Sequence, residues 1–404
     1  MSAVSTLKAA ERKEHELLLL CVQPNVSSED GDRIRTLVSG EVDWDYLFLF
    51  GRRHAVVALM YFRLQKIAAD CVPASQLQRL QKYFQDNAAR NVLLTAELCR
   101  LIKILAESGV QAIPYKGPAL ALFAYDNLAL RRFVDLDVMV RKEDVSRAIN
   151  LLLAEGYESS KSLSANQQQV LLRTQHNIQF RRDNRRMIVE LHWEVAAHLF
   201  ASSVSADELW RDLVQVDLNG MPAKSLSADD LIFSLCVHGS RHVWEGLLWI
   251  CDIAWILMRH ELNWPVLLER AKSTGNERMF LLGLHLAAKL LNVTLPRFVA
   301  TQIENDPPLD QLADVVIEGL FSGSEPKRLS STQRLRFNLV LRETWLGRAR
   351  YVRHLLDPTD RDLASITLPR PLSFGYYLMR PFRLIFQNDE DVRNTQAGSK
   401  SRSR

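Results

Sequence analysis

Apolar residues recur along this chain with two different periods, and the switch between them marks off three parts. Over 6–21, 43–50 and 54–67 they fall three and four apart, the spacing of one buried helix face. Pro73-Ala74-Ser75 predicts the start of a long helix over 76–108, which Gly109 ends. Beyond that glycine the period shortens. The runs 110–115, 134–140, 176–180 and 187–193 predict strands, with helices over 119–125 and 143–155 between them and Gly156 as a stop. The arginine-rich stretch 181–186 reads as a hairpin turn. After Ser205 the helical period returns. Ser227-Ala228-Asp229-Asp230 predicts a capped helix running to His238, and further helices follow over 244–260, 265–275, 279–291, 309–320 and 332–356. The order β-α-β-α-β-β predicts a small mixed sheet. The fold class is therefore α/β in the α+β sense, with all-helical regions before and after the core. The boundaries fall at 1–94, 95–204 and 205–387, with a polar tail over 388–404 expected to stay disordered.

Composition narrows the class without naming it. A chain of 404 residues suits two or three domains, at ~150 residues each. An apolar share of 47% with 24% charged residues is ordinary for a globular protein. The net charge of +4 is no signal for nucleic acid, and part of it is the terminal run Lys400, Arg402 and Arg404. Five cysteines lie far apart with no CxxC, which argues against a disulfide framework or structural zinc and for a reducing compartment. No apolar stretch of signal-peptide type stands near Met1. The greasiest run, 244–258, contains Glu245 and Asp252 and is shorter than the ~20 residues of a membrane span. The expected setting is the cytoplasm. The pattern sets no oligomeric state.

The candidate chemistry lies in Pro114-Tyr115-Lys116-Gly117 and in Arg131-Arg132-Phe133-Val134-Asp135-Leu136-Asp137. On a strand Asp135 and Asp137 share a face, about 7 Å apart along the backbone, while Val134, Leu136 and Val138 take the other face and suit a core. Two carboxylates on one face repel, and a multivalent cation is the natural compensation.

The succession of Lys116-Gly117, a helix, Arg131 or Arg132, and Asp135-x-Asp137 resembles the nucleotidyltransferase superfamily, with its DNA polymerase β-like fold. Within it, the chain looks most like the bacterial group labelled uncharacterised nucleotidyltransferase. The resemblance implies a third acid on a later strand, here Glu190 in Met187-Ile188-Val189-Glu190-Leu191-His192-Trp193. It also implies that Asp135, Asp137 and Glu190 are catalytic and hold two Mg²⁺ ions. Lys116, Gly117, Arg132 and His242 would then bind the NTP, Gly117 by letting the backbone and the following helix N-terminus approach the phosphates. The acceptor would be a small molecule, a sugar or a protein hydroxyl, with pyrophosphate released. Two positions depart from the wider pattern: Pro118 stands where a small residue often follows the glycine, and Glu190 stands where Asp is commoner.

His192 alternates with Glu190 and shares its face, while Trp193 points to the core. His238 and His242 have a metal-ligand spacing, but no acid or cysteine at a sensible distance completes a zinc site; for Arg241 and His242, contact with a phosphate or acceptor competes with plain packing. His54, among apolar residues, reads as a satisfied histidine. The aromatic and arginine run 374–386 reads as a segment covering the helical core, with a membrane surface or partner as the alternative. Two other functional classes compete. A glycosyltransferase would use DxD for a sugar nucleotide but needs a Rossmann-like domain where helices stand here. A catalytically silent nucleotide-binding scaffold is suggested by Pro118 and the large helical share.

Overall fold

Helices come first. The computed structural model describes residues 12–159, 165–183, 186–194, 209–323 and 329–357, with 375 and 377; the tail 388–404 and most of the run 374–386 lie outside them. Ahead of the first strand stand α1 (Lys13–Val22), α2 (Ser28–Ser39), α3 (Trp44–Arg53), α4 (Val57–Ile67) and α5 (Ala74–Glu107). Helix α2 is an addition to the expected set. Its apolar stripe is only Ile34, Leu37 and Val38, too thin to show in the period. Its signature is instead the reciprocal capping box of Ser27 and Asp30.

The sheet follows: β1 (Ala112–Pro114), α6 (Gly117–Tyr125), β2 (Leu136–Val140), α7 (Val145–Ala154), β3 (Glu158–Ser159), α8 (Ala165–Thr174), β4 (Asn177–Arg182) and β5 (Met187–His192). Its strand order is β1-β2-β5-β4-β3, with β2 and β5 parallel and the other neighbours antiparallel. This is the expected mixed sheet, extended by β3 and α8. Leu136, Val138, Val140, Val189 and Leu191 turn one face towards Leu94, Leu98, Leu101 and Leu105 of α5 and towards α7.

The chain does not become wholly helical after Ser205. β6 (Val214–Asp217) and β7 (Pro222–Ser225) form a hairpin, and Ser225 Oγ donates to Pro114 O at 2.6 Å, fastening it beside β1. The sequence carries the signal: Asn219-Gly220, with φ of 57° and 94°, is the pair that tight hairpin turns favour.

Helices α9 (Ala228–Arg241), α10 (Leu247–Arg259), α11 (Trp264–Ser273), α12 (Glu277–Leu291), α13 (Arg297–Glu304), α14 (Pro308–Phe321), α15 (Ser331–Val340) and α16 (Trp345–His354) complete the described chain. α9 extends past His238, and α10 begins at Leu247 rather than 244. The helix expected over 332–356 is two. Glu343, in the break, accepts the Arg278 N–H at 2.5 Å near the start of α12, and Thr344 caps α16 by accepting the Gly347 N–H at 3.1 Å. The N- and C-terminal helices share one apolar core, from Leu17 and Leu64 through Phe280 and Leu284 to Leu341. Among the described residues no helix is long and apolar enough to cross a membrane.

His54 is a joint of that core. Its Nδ1 accepts the Leu247 N–H at 3.3 Å and its Nε2–H donates to Leu320 O at 3.1 Å, so α3, α10 and α14 meet on one neutral ring. Burial, reinforced by Arg53, pushes its pKa down to about 3. The unfolded ring takes a proton near pH ~6.5 while the folded ring refuses it, so stability is lost as pH falls from there towards 3. The expected slope from this residue is about 1.4 kcal/mol per pH unit. Urea unfolding between pH 7 and 4 checks it: His54→Gln should show a flatter acid limb than the wild type, whatever its absolute stability.

Candidate active site

Strand pairing sets the acids side by side. β2 and β5 run parallel with Asp137 opposite Glu190 and Met139 opposite His192, so these four share one face. Asp135 is not on the strand with Asp137. It sits in the bend before Leu136, and Val134, expected in the core, is 42% exposed. The bend nevertheless delivers Asp135 to the same cleft. Burial, and then repulsion from Asp137 and Glu190, pushes its carboxyl up to about 6. The three acids converge.

Their surroundings differ. Burial alone would raise Asp137, but Lys116 Nζ at 3.6 Å and the His192 Nε2–H, donating to Oδ1 at 3.0 Å, hold it well below the usual range. Glu190 accepts from Asn177 Nδ2 at 3.0 Å and Gln179 Nε2 at 3.3 Å, with His192 Nε2 at 3.4 Å. Asn177 and Gln179 lie opposite His192 and Glu190 across the β4–β5 ladder. Sequence reasoning passed over both, although their alternation with the buried Ile178 and Phe180 marked the polar face. Tyr115, also missed, is fully buried with its hydroxyl 3.2 Å from His192 Nδ1.

Gly117 closes the corner. Its φ is +52°, and a Cβ there would lie 3.2 Å from Asp135 O, so the turn and the acidic bend touch through backbone. Pro118 occupies the first turn of α6, where its missing N–H removes no helical bond. The loop from Asn127 to Val134 has no regular structure of its own. One face of α5 holds it: Asn87 donates to Ala129 O, Arg90 to Phe133 O, and Asn91 to both Leu128 O and Arg131 O, at 2.9, 2.9, 2.5 and 2.8 Å. Arg131 lines the cleft while its guanidinium donates twice to Asp252 of α10, at 2.9 and 3.0 Å, where the Tyr125 hydroxyl also donates at 2.8 Å. Arg132 lines the cleft beside it, with Nη1 donating to the Tyr83 hydroxyl at 3.3 Å.

The cleft measures about 690 Å³. Its floor is the acidic face of the sheet with Lys116 and Arg132, and Arg52 of α3 lines it from the N-terminal helices. The far wall is His238 and Arg241 of α9, His242 at its C-terminal cap, and Trp249 of α10. Arg241 Nη1 donates to His176 Nε2 at 2.8 Å. Burial first, and then Arg241, keeps His176 well below its ordinary range; burial with Lys116 does so for His238, and burial with Arg241 brings His242 down to about 4. The wall therefore offers neutral rings beside one guanidinium. His238 and His242 rings lie 4.7 Å apart and face Trp249 at 5.3 and 5.7 Å. Among the described residues, a metal-ligand grouping forms from Asp137, Glu190 and His192, whose ligand atoms all lie within 4.8 Å.

The turn after α9 explains the run His238-Gly239-Ser240-Arg241-His242-Val243-Trp244. Val243 and Trp244 both take left-handed φ, 53° and 50°, a strained arrangement for bulky side chains. Trp244 is held there by its own burial. A Cβ on Gly239 would lie 2.5 Å from its ring, and one on Gly283 would lie 3.1 Å from the far edge. Gly239→Ala is expected to destabilise the fold by about 3 kcal/mol, the upper end of overpacking costs, because the indole has no direction in which to yield. Denaturant unfolding measures it.

A strand–glycine–helix corner beside three converging acids on a mixed sheet is the site architecture of a nucleotidyltransferase. A family profile described as uncharacterised nucleotidyltransferase matches residues 40–292, and the chain belongs to that family. The matched span runs from just before α3 to the end of α12 and includes every cleft residue named above. No curated protein matches the chain significantly.

Proposed function

We propose that this cleft transfers a nucleoside monophosphate from an NTP to a hydroxyl-bearing acceptor, a small molecule, sugar or protein, with release of pyrophosphate. One observation carries the reading: Asp135, Asp137 and Glu190 meet beside the Gly117 corner in a single cleft. The donor set fits a hard divalent cation. Lys116 and His192 compensate Asp137, while burial and the two neighbouring acids keep the Asp135 carboxyl raised at about 6. Asp135, Asp137 and Glu190 would hold Mg²⁺, in a pair of ions. Such ions, when bound, neutralise the triphosphate and activate the attacking oxygen.

The chain's own groups supply the rest. Lys116 and Arg132 meet the phosphates as fixed cations, and Gly117 leaves space for backbone to approach them. Arg241, His242 and Trp249 form the wall for the base or the acceptor. Glu190 is braced by Asn177 and Gln179, and although burial would raise it, the His192 hydrogen bond keeps its carboxyl below the ordinary value. It stays ionised at neutral pH and is suited to hold a cation.

The test is product analysis with each of the four common NTPs, Mg²⁺ and a panel of acceptors. Divalent-dependent pyrophosphate supports the reading. Release of nucleoside diphosphate from sugar nucleotides offered in parallel points to glycosyl transfer, and binding of an NTP with no product points to a silent scaffold; either would overturn it.

A further inference from the structure

We infer that His192 is itself a metal ligand, so that one ion of this site is held by two carboxylates and an imidazole, Asp137, Glu190 and His192, and is a first-row transition metal such as Mn²⁺ in preference to Mg²⁺. The proposal deepens the reading of the cleft as a metal site. It changes the chemistry of that site from all oxygen to mixed nitrogen and oxygen.

His192 Nε2 lies 3.0 Å from Asp137 Oδ1 and 3.4 Å from Glu190 Oε2. Bonds of ~2.1 Å place neighbouring ligand atoms ~3.0 Å apart around an octahedral ion and ~3.4 Å apart around a tetrahedral one. The imidazole nitrogen thus stands at an edge distance from each carboxylate, and the three ligand atoms all lie within 4.8 Å of one another. Asp135 does not belong to this trio. It is left to serve, with Asp137, the ion that travels with the NTP.

The ring cannot step aside. His192 is 2% exposed, its Nδ1 is 3.2 Å from the Tyr115 hydroxyl, and it stands edge-to-face on the Tyr115 ring at 5.1 Å. His176 flanks it, with ring centroids 6.1 Å apart. A cation drawn in by Asp137 and Glu190 must meet Nε2. A partner on the other ring nitrogen is the arrangement that orients a metal-binding histidine, and here Nδ1–H would donate to Tyr115. Imidazole favours borderline transition ions over Mg²⁺, which prefers oxygen alone. The competing role is a counter-cation, with the imidazole only lending a proton to two crowded acids. The two roles predict opposite effects: losing a counter-cation strengthens metal binding, and losing a ligand weakens it.

The experiment is binding of Mn²⁺ and Mg²⁺ to the full chain without nucleotide, by calorimetry, with electron spin-echo spectroscopy of bound Mn²⁺. Expected are Mn²⁺ binding at least ~10-fold tighter than Mg²⁺, a directly coordinated nitrogen in the spectrum, and loss of that nitrogen with weaker binding in His192→Ala. Should that variant fail to fold, Tyr115→Phe serves: it should keep the nitrogen signal while lowering Mn²⁺ affinity ~10-fold. No nitrogen coupling in the wild type, equal affinity for the two ions, or tighter binding in His192→Ala overturns the proposal. Because no nucleotide is present, such a failure leaves the pyrophosphate assay to stand or fall separately.

Discussion

Asp137→Asn is expected to cut turnover by roughly 10³-fold, about 4 kcal/mol of transition-state stabilisation, while leaving the unfolding midpoint close to that of the wild type. Asp137 is where the cluster's interactions meet. It faces Glu190 across the parallel ladder, accepts the His192 Nε2–H, pairs with Lys116 and repels Asp135. Asparagine keeps the shape and one acceptor oxygen but removes the charge that a cation requires. The fold should tolerate it, because the lost attraction to Lys116 is offset by relief of repulsion from the other two acids. Initial rates of pyrophosphate release and thermal unfolding, measured in one buffer, check both halves. Turnover equal to the wild type would remove the acid cluster from the chemistry.

The largest stability effect is expected at Asp252→Ala, about 3–5 kcal/mol, the range for removing one partner of a buried ion pair. Asp252 is 0% exposed, in an apolar stretch of α10, and accepts both Arg131 nitrogens and the Tyr125 hydroxyl. Its removal leaves a buried guanidinium without its hydrogen-bonded counter-charge. The consequence reaches the cleft, because Arg131 adjoins Arg132 and anchors the loop that carries Asp135. Activity should therefore fall further than the unfolded fraction explains. The double variant Arg131→Met/Asp252→Leu separates the roles: apolar replacement of such a pair is often neutral for stability, so the fold should recover in denaturant titration. Its pyrophosphate release should remain low, since the loop has lost its tie to α10. Full recovery of activity would show the pair to be structural only.

Several parts of the site are legible in the amino-acid pattern alone. Alternation places Asp137 beside a buried face, Glu190 and His192 on one side of their strand, and a glycine where the backbone must turn tightly. The α/β class and the helical flanks follow from the change of period. Other parts lie in short-range signals that a search for period overlooks: the Ser27–Asp30 box of α2, the Asn219-Gly220 turn, and Asn177 and Gln179 alternating along β4. Alternation extends through Val134 and so assigns Asp135 to the strand, yet the ladder stops one residue short of it. Period alone cannot say where pairing ends.

What the sequence by itself determined is local: which segments coil or extend, which face of each is apolar, where φ must be positive, and the family that those motifs signal. These depend on neighbours within a few residues, where sterics and side-chain period act directly. Only the packed fold ties Arg131 to Asp252, makes α9 and α10 the wall of the cleft, and sets His192 between two acids. Each of these depends on a parallel register between strands some fifty residues apart, or on a helix packed across the sheet from another part of the chain. Such contacts are chosen by the burial of the whole core, which no local pattern contains.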